Sequence, residues 1–538
     1  MEQLDLQKRL IIALALSFLV FVGSSFFMGG TQSKKLLQEN NQSAQNQKAE
    51  NQAPAIAAAE SAPKTPTATK GSTAAAAPVQ DQSKLLATVT STNSRIMIDE
   101  FGRISQVVLI EEKYRDDEGN ALKLFAADAV KPLEIRFSDA AINAEAFKVP
   151  YQASVSELNI QNAPAAITLT QTLTNVTISK KITFYDDGHY DLQIKTSKPI
   201  DYFLTTGSRP IADTSRYMIA KGALIKGMDG VLTTIEDGKA KMDETFNGAL
   251  FASAFDRYYA SVLYNLEKGL NVTVSPGKNE DPLIFVKGES DYLLHGYIGP
   301  KEYRILKALS PQLTDVIEYG WFSFLSKPFF AVIVWIHGFV GNWGWAIILF
   351  TLLVKVILFP LSYKGMMSMQ KLKDLAPKIK ELKEKYGKDP QKMNAKMMEM
   401  YKKHGANPMG GCLPMLLQIP VFFALYRVLL NADELQGAPW ILWIQDLSRM
   451  DPYYVLPVLM GASMYFQQKI TPSNITDPLQ EKIFKFFPVI MTVFFVTFPS
   501  GLVLYWLTNN ILSIAQQYYI NRAYDKHKAA VIAAHEKK

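Results

Sequence analysis

Long apolar runs in the last third of the chain constrain its fold most. They cover residues 345–361, 412–430, 455–467, 484–498 and 502–520. Runs of this kind predict helices that cross a bilayer, although the two shortest fall below the roughly 20 residues of a full span. A further run, residues 10–28, follows Lys8 and Arg9. We interpret residues 1–30 as an uncleaved signal-anchor helix, which brings the predicted transmembrane helices to six.

Residues 31–84 and 85–317 have the compositions of a linker and of a folded domain. The first segment is rich in Gln, Asn, Ala, Pro, Ser and Thr and has no apolar period, so we predict a disordered tether. The second alternates apolar and polar residues in short stretches, which we predict to be strands at 95–99, 104–110, 166–179, 181–185 and 190–195, with a turn at 186–188. Many short strands with little helical period predict an all-β sandwich.

The sequence carries few signs of catalysis. The β domain has no cluster of His, Asp and Glu at catalytic spacing, and Cys412 is the single cysteine of the chain. We therefore predict no enzyme activity, no cofactor and no cysteine-based metal site. The chain also lacks a Walker-type phosphate loop and paired intramembrane carboxylates, which favours a passive process.

The charges between the apolar runs predict the topology. Residues 362–411 carry twelve lysines against five carboxylates, which places this loop in the cytoplasm by the positive-inside rule. Residues 431–451 are acidic and fall outside, and the tail 521–538 is basic and falls inside. Both termini are therefore predicted to be cytoplasmic, with residues 31–342 in the periplasm and the chain in an inner membrane.

Residues 318–342 form a separate segment between the β domain and the core. We interpret them as an amphipathic helix that lies in the membrane interface, because Pro328 interrupts the apolar run and Gly341 ends it. The five helices of the core then fall within residues 343–520.

A charge and a polar stripe lie inside the predicted membrane helices. Lys355 falls where an ammonium costs at least ~2.5–3.5 kcal/mol, and Thr351 lies one turn before it. Gln418 and Arg427 add polar groups to the run 412–430, and the last helix has a polar stripe of Tyr505, Trp506, Asn509, Asn510, Ser513, Gln516 and Gln517. Such groups face a bundle interior or water rather than lipid. We predict a wet, positively charged groove that opens to the cytoplasm and closes before the far side; alternatively, Lys355 snorkels to the interface.

The basic loop 362–411 is predicted to be a helical hairpin. Apolar residues recur every three or four positions, Pro377 is a possible kink, and Asp389 and Pro390 begin the second helix. One interpretation is a surface that binds anionic lipid, the ribosome or a nascent apolar segment, and the other is a two-helix core with a solvated face. The proposed docking residues are Met369, Leu372, Lys378, Lys380, Lys383, Lys385, Met393 and Met397.

Three stretches resemble the signature sequences of the YidC-type membrane protein insertases. They are Asn-Pro-Met-Gly-Gly-Cys-Leu-Pro at 407–414, Asp-Pro-Tyr-Tyr at 451–454 and Phe-Pro-Ser-Gly-Leu-Val-Leu-Tyr at 498–505. The resemblance implies a β-supersandwich for residues 85–317 and a five-helix α-helical insertase core. It also implies that nascent membrane proteins are the substrates, with insertion and chaperone activity alone or beside the Sec translocon (SecYEG and SecDF). It implies no sequence-specific binding of nucleic acid.

The resemblance also implies positions for the substrate groove. The groove cation of the family is usually arginine, and Lys355 occupies the matching position, with the charge kept and the bidentate fork lost. Trp506 replaces a common tyrosine. The implied groove residues are Lys355, Thr351, Gln418, Phe422, Phe494, Tyr505, Trp506, Asn509 and Ser513.

Two other functions compete with insertion. A channel or secondary transporter would also use an intramembrane lysine, although transporter cores usually contain internal repeats and we find none. A membrane-anchored carbohydrate-binding or epimerase-like enzyme would instead place its site on the β domain. Deleting most of residues 85–317 would separate these hypotheses, because an insertase should largely survive.

Overall fold

The computed structural model describes residues 84–116, 118–212, 220–320, 322–386, 389–404, 413–471 and 478–536. The predicted signal anchor and all but the last residue of the predicted linker lie outside these ranges. Within them, strands occupy the region up to residue 300 and long helices follow residue 322, as the sequence predicted.

The β domain contains two sheets. Its strands are β1 Leu85–Thr90, β2 Ser94–Asp99, β3 Ile104–Leu109, β4 Leu122–Lys123, β5 Ile135–Phe137, β6 Gln152–Ala153, β7 Glu157–Asn159, β8 Ala165–Thr172, β9 Thr177–Phe184, β10 His189–Thr196, β11 Tyr202–Thr205, β12 Gly222–Gly227, β13 Leu232–Glu236, β14 Glu244–Phe255, β15 Tyr259–Tyr264, β16 Leu270–Pro276, β17 Pro282–Lys287 and β18 Asp291–Pro300. The smaller sheet has the order β4-β3-β2-β1-β7. The larger one has the order β5-β11-β17-β16-β14-β15-β18-β10-β9-β8-β6, with β12 joining β14 and β13 pairing with β12.

The two sheets enclose one hydrophobic core. Every second residue of a strand points to the same face, so Ile178 and Ile182 of β9 are buried together, and Val89 and Ile98 of the smaller sheet belong to the same core. The short helix α1, Ala140–Ala146, begins at Asp139, whose carboxylate accepts two backbone N–H groups. The prediction of an all-β sandwich is confirmed.

The strand predictions were right at one hairpin and wrong at another. The turn 186–188 is confirmed, because Phe184 pairs with Tyr190 across it and Gly188 has a φ of +88°. The single strand predicted at 166–179 is wrong, since β8 and β9 pair with each other and the chain reverses between Thr172 and Thr177. The alternation of Thr with apolar residues continues through this tight turn and therefore concealed it.

Eight α-helices follow the β domain in the described part, and they include one for each predicted apolar run, in the predicted order. They are α2 Tyr303–Leu309, α3 Ser323–Val340, α4 Trp343–Tyr386, α5 Pro390–Lys403, α6 Leu413–Asn431, α7 Val455–Ile470, α8 Pro478–Phe495 and α9 Ser500–Glu536. By length and composition, α3 and α4 are the described helices long and apolar enough to cross a membrane. The count of six transmembrane helices therefore stays a prediction.

Three boundaries differ from those expected. Pro328 lies inside α3 and does not break it, because it sits in the second turn, where few backbone hydrogen bonds are lost, whereas Gly341 ends the helix in a left-handed conformation with φ +65°. The run 345–361 and the first helix of the hairpin are one helix of 44 residues, α4. The basic segment after residue 520 continues α9 as far as Glu536.

Helix packing positions the interior polar residues. α9 packs along both α4 and α7, whereas its contact with α6 is short. α3 lies against α4 and α6, with Phe330, Ile333 and Ile336 buried and Phe324 and Phe339 exposed. The interfacial placement of α3 stays a prediction.

The β domain is fixed to the helices by buried polar contacts. Arg257, which is 2% exposed, donates through Nε to the carbonyl oxygen of Leu430 at 2.7 Å. The hydroxyl of Tyr114 donates to Oδ2 of Asp433 at 2.7 Å. Both acceptors lie at the end of α6 or in the loop after it. The strands therefore rest directly on the helical part of the molecule.

Candidate functional site

The ammonium of Lys355 lies between α4 and α9. Its Nζ donates to Oγ of Ser513 at 2.8 Å, and Ser513 Oγ in turn donates to the carbonyl oxygen of Asn509 at 2.7 Å. Lys355 is half-buried and Ser513 is buried. The serine can serve both partners because a hydroxyl accepts one hydrogen bond while donating another.

One turn away on α9, polar side chains bridge to α6. Nε2 of Gln418 donates to Oδ1 of Asn509 at 3.1 Å and lies 3.5 Å from the hydroxyl of Tyr505. The two contacts continue the one that Lys355 makes, so a chain of polar groups runs from α4 over α9 to α6. Groups at membrane depth need such partners because lipid offers none.

Aromatic residues lie beside this chain, on the side nearer the start of α9. Trp506 packs edge-to-face on Phe422 with ring centroids 4.6 Å apart, and on Phe495 at 5.1 Å. Phe494 packs against Phe498 at 4.8 Å. The rings join α6, α8 and α9 into one apolar layer.

Toward the end of α9, the polar residues continue but divide between two neighbours. Asn521 accepts hydrogen bonds from Gln517, at 2.6 Å, and from Gln370 of α4. Asn510 instead turns to α7, where Nδ2 donates to Ser463 Oγ at 3.0 Å. The predicted single stripe is therefore wrong in this respect, because adjacent helical positions differ by about 100° and Asn509 and Asn510 face different helices.

Two predicted groove residues form no described hydrogen bond with the polar chain of Lys355. Thr351 is 2% exposed and donates to the carbonyl oxygen of Ile347, within its own helix, at 2.7 Å. Arg427 donates to Glu318 Oε2 at 3.1 Å, at the junction with the β domain. The expectation that Arg427 adds to the groove is wrong, since it lies nine positions, or roughly 13 Å, beyond Gln418 along α6.

The basic hairpin has the predicted two-sided arrangement. Leu372 and Leu375 are buried against Ile379, Met400 and Tyr401, and Met369, Met393 and Met397 are half-buried. Lys378, Lys380 and Lys385 are exposed, and the side chain of Lys383 lies outside the described part. The docking role of this surface stays a prediction.

The sequence did not indicate that the end of α9 packs against the hairpin. Nζ of Lys528 lies 2.8 Å from Oδ2 of Asp374 in α4, and the hydroxyl of Tyr524 donates to the same oxygen at 3.0 Å. Although burial acts in the opposite direction, these hydrogen bonds lower the pKa of Asp374. The spacing of Tyr524 and Lys528 by one helical turn was the available signal.

The described part of the chain contains no candidate metal site. No group of three or more His, Cys, Asp or Glu residues lies close enough there to hold a metal ion.

Fold and site together define a class of protein. A β sandwich is followed by long apolar helices, and these carry an interior lysine and a network of amides and hydroxyls. This is a membrane protein with a β domain on a helical core. Residues 233–332 match the family described as the YidC periplasmic domain, and residues 335–528 match the family described as 60Kd inner membrane protein.

Relatives share almost the full length of the chain. A protein of Wolinella succinogenes is 49% identical over 99% of this chain and 98% of its own length, and one of Campylobacter jejuni is 48% identical over 97% of each. One of Helicobacter pylori is 47% identical over 98% of each. All three are named membrane protein insertase YidC. The chain belongs to this family, the YidC membrane protein insertases, and is an inner-membrane protein with a periplasmic domain.

Proposed function

We propose that this chain inserts inner-membrane proteins and helps them to fold, through a positively charged hydrophilic groove between α4, α6 and α9. The main support for this proposal is that no carboxylate in the described ranges neutralises the charge of Lys355. This lysine is the single charged residue between Trp343 and Leu361, and its ammonium donates to the neutral hydroxyl of Ser513. No carboxylate in the described ranges pairs with it. Its positive charge therefore remains uncompensated.

An uncompensated cation at this depth would lower the cost of holding a polar segment within the bilayer. Acidic or hydrated residues of a substrate would interact with Lys355 and with the amides of Gln418 and Asn509 instead of with lipid. Val356 and Ile357, next to Lys355, are 62% and 66% exposed. The apolar segment of a substrate would leave along this exposed surface, and the free energy of its burial in lipid would drive insertion.

The groove is proposed to open only toward the cytoplasm. The aromatic layer of Trp506, Phe422 and Phe495 lies on the side nearer the start of α9, and this supports closure there. Polar residues continue toward the opposite end, where α9 meets the lysine-rich hairpin through Lys528 and Asp374. That contact also supports a cytoplasmic carboxyl terminus, because it puts the end of α9 on the side of the basic loop.

The hairpin is proposed to receive partners before insertion. Its exposed lysines suit anionic phospholipid or ribosomal RNA, and Met398, which is 50% exposed, offers an adaptable apolar contact for a nascent segment. Cooperation with the Sec translocon and an amino-terminal transmembrane anchor belong to the same proposal.

Reconstitution tests the function directly. Purified full-length protein in liposomes should promote the insertion of a single-span substrate with an acidic translocated segment, measured by protection of that segment from added protease. Empty liposomes give the background. Failure with every single-span substrate tried would contradict insertion, and flux of a small solute through the same liposomes would favour a channel or transporter.

A further inference from the structure

A cavity of about 370 Å³ lies where the β domain meets α3, α4 and the loop after α6. Its volume is in the range of small-molecule sites. The charged and aromatic residues that line it are Lys113, Glu302, Arg304, His337, Trp343 and Glu434. None of them belongs to the polar chain of Lys355, so the insertion proposal leaves this cavity without a role.

The cavity is lined by both basic and acidic side chains, and one of each kind has no ion-pair partner in the described part. Glu302 is paired, since its Oε1 lies 2.7 Å from Nζ of Lys113. Arg304 is exposed, and no carboxylate in the described ranges forms an ion pair with it. Oε1 of Glu434 accepts the backbone N–H of Tyr303 at 2.8 Å, whereas its Oε2 is buried without a hydrogen-bond partner in the described part.

The raised pKa of Glu434 indicates that its carboxylate lacks a cationic partner. Burial, together with the neighbouring Asp433 carboxylate, raises the pKa of Glu434 to about 8. A carboxyl group shifts in this direction when no cation stabilises its ionised form. A cationic group placed in the cavity would supply that stabilisation.

A second residue that lines the cavity, His337, also has a buried polar atom without a partner in the described part. Nδ1 of His337 is buried and accepts or donates no hydrogen bond within the described residues, while its ring stacks on Trp343 at 3.9 Å. Buried polar atoms are nearly always paired. Both residues line the cavity, so a small rotation of each side chain would present Glu434 Oε2 and His337 Nδ1 to a polar ligand there.

Tryptophans of the elements that form the cavity indicate its level relative to the membrane. Trp343 lines it, and Trp345, which is 46% exposed, packs on Trp440 with ring centroids 6.0 Å apart. Trp335 of α3 is 62% exposed. Tryptophan is enriched where a membrane protein passes from lipid to water. This distribution is the one expected for a cavity at the level of lipid headgroups.

We propose that this cavity binds the headgroup of a phospholipid that carries a primary ammonium, as phosphatidylethanolamine does. Its phosphate would lie at the guanidinium of Arg304, its ammonium at the Glu434 carboxylate, and His337 Nδ1 would hydrogen-bond to the headgroup. The site is independent of the insertion groove, so its failure would leave the proposed function untouched.

Native mass spectrometry of the full-length protein tests the proposal. The protein is equilibrated with mixed micelles that contain equal amounts of phosphatidylethanolamine, phosphatidylcholine and phosphatidylglycerol, and the retained lipids are counted. We expect phosphatidylethanolamine to be retained preferentially. Arg304→Gln should lower the retention of all three lipids about tenfold, because they share the phosphate, whereas Glu434→Gln should lower the preference for phosphatidylethanolamine about tenfold, as the loss of one charge-assisted hydrogen bond does. The exposed pair of the β domain supplies matched controls, Lys195→Gln and Asp291→Asn, which should change nothing.

Three results would overturn the proposal. One is equal retention of phosphatidylethanolamine and phosphatidylcholine, whose ammonium has no hydrogen to donate. Another is a preference for phosphatidylethanolamine that survives Glu434→Gln, together with total lipid retention that survives Arg304→Gln. A measurement on the parent protein gives the third and does not depend on the folding of variants: soluble glycerophosphoethanolamine should displace the retained lipid, and equal displacement by inorganic phosphate would reduce the site to one for simple anions.

Discussion

The ammonium of Lys355 and the hydroxyl of Ser513 meet at 2.8 Å across the contact of α4 with α9. The bond joins a cation to a neutral group, so it satisfies one N–H of the ammonium without cancelling its charge. A lysine held in this way keeps a defined position and an electrostatic field. Both properties are open to measurement.

The charge of Lys355 should matter most for substrates with acidic translocated segments. Lys355→Arg should insert them about as well as the parent protein, because the charge is kept. Lys355→Glu should slow their insertion about tenfold or more, since like charges repel in a medium of low dielectric constant. The rate of protease protection in liposomes gives the measurement.

Lys364 provides the matched control for this series. It lies on the same helix but is exposed and beyond the apolar stretch. Lys364→Glu should therefore leave the rate nearly unchanged. Parent-like rates for both Lys355→Ala and Lys355→Glu would show that the charge at this position has no role.

The bond between Lys355 and Ser513 should appear as a coupling energy. Ser513→Ala removes the acceptor and should lower the free energy of unfolding by about 1–2 kcal/mol. In the Lys355→Met background, Ser513→Ala should have almost no further effect on the free energy of unfolding, so the double-mutant cycle should give a coupling of about 1–2 kcal/mol. Thermal unfolding in detergent measures all four proteins. Additive effects of the two substitutions would indicate that the bond contributes nothing to stability.

Arg427 should support the junction and not the selection of substrates. Its partner Glu318 has a side chain only 11% exposed, so Arg427→Met leaves a largely buried carboxylate unpaired and should cost about 1–3 kcal/mol in unfolding free energy. Substrates with acidic and with neutral segments should be affected alike. Arg449→Met is the control, because the Arg449 side chain is 63% exposed and a surface pair contributes at most about 1 kcal/mol. A selective loss of acidic substrates in Arg427→Met would contradict this assignment.

The stability of the junction should fall as the pH rises. The folded pKa of Glu434, about 8, lies above the ordinary value of 4.5 for a glutamate, so the folded state holds a proton that the unfolded state releases. The resulting stabilisation is complete below about pH 4.5 and is lost as the pH rises through 8. Asp433, whose burial raises its pKa to about 7, adds in the same direction.

The variant Glu434→Gln isolates this effect, because it carries no charge at any pH. In detergent free of phosphatidylethanolamine, it should exceed the parent protein in stability at pH 8.5 by about 1–3 kcal/mol, with the difference shrinking toward pH 5. Glu289→Gln, at an exposed position, should show no such trend. A difference between Glu434→Gln and the parent that does not change with pH would disprove the linkage.

The helical period predicted on which face of a helix a residue lies, but it did not predict which neighbouring helix that residue contacts. The positions of Ser513 and Asn509 on one face of α9 followed from their spacing, and the structure brings both to the Lys355 network. Period alone could not assign Asn510 to α7, because that depends on which helix lies beside it. Arg427 looked equivalent to Gln418 in sequence, yet its partner Glu318 lies 109 residues away.

The junction with the β domain could not be predicted for the same reason. Tyr114 and Asp433 are 319 residues apart, and neither belongs to a recognisable motif. Such pairs arise from the tertiary arrangement of two domains that each fold by their own pattern. The sequence does contain the pattern of each domain. Apolar and polar residues alternate in the strands, apolar runs form the helices, and the charged loop 362–411 lies between two of those runs.

The uninterrupted course of α4 has a mechanical consequence. Its 44 residues extend for roughly 66 Å, from the cavity lined by Trp343 past Lys355 into the basic hairpin. A force applied by a docked partner at the exposed Lys373 would therefore act along one stiff helix, and Pro360 is the single proline at which this helix can bend before it reaches Lys355. A partner that binds the hairpin would therefore displace the helix that carries Lys355.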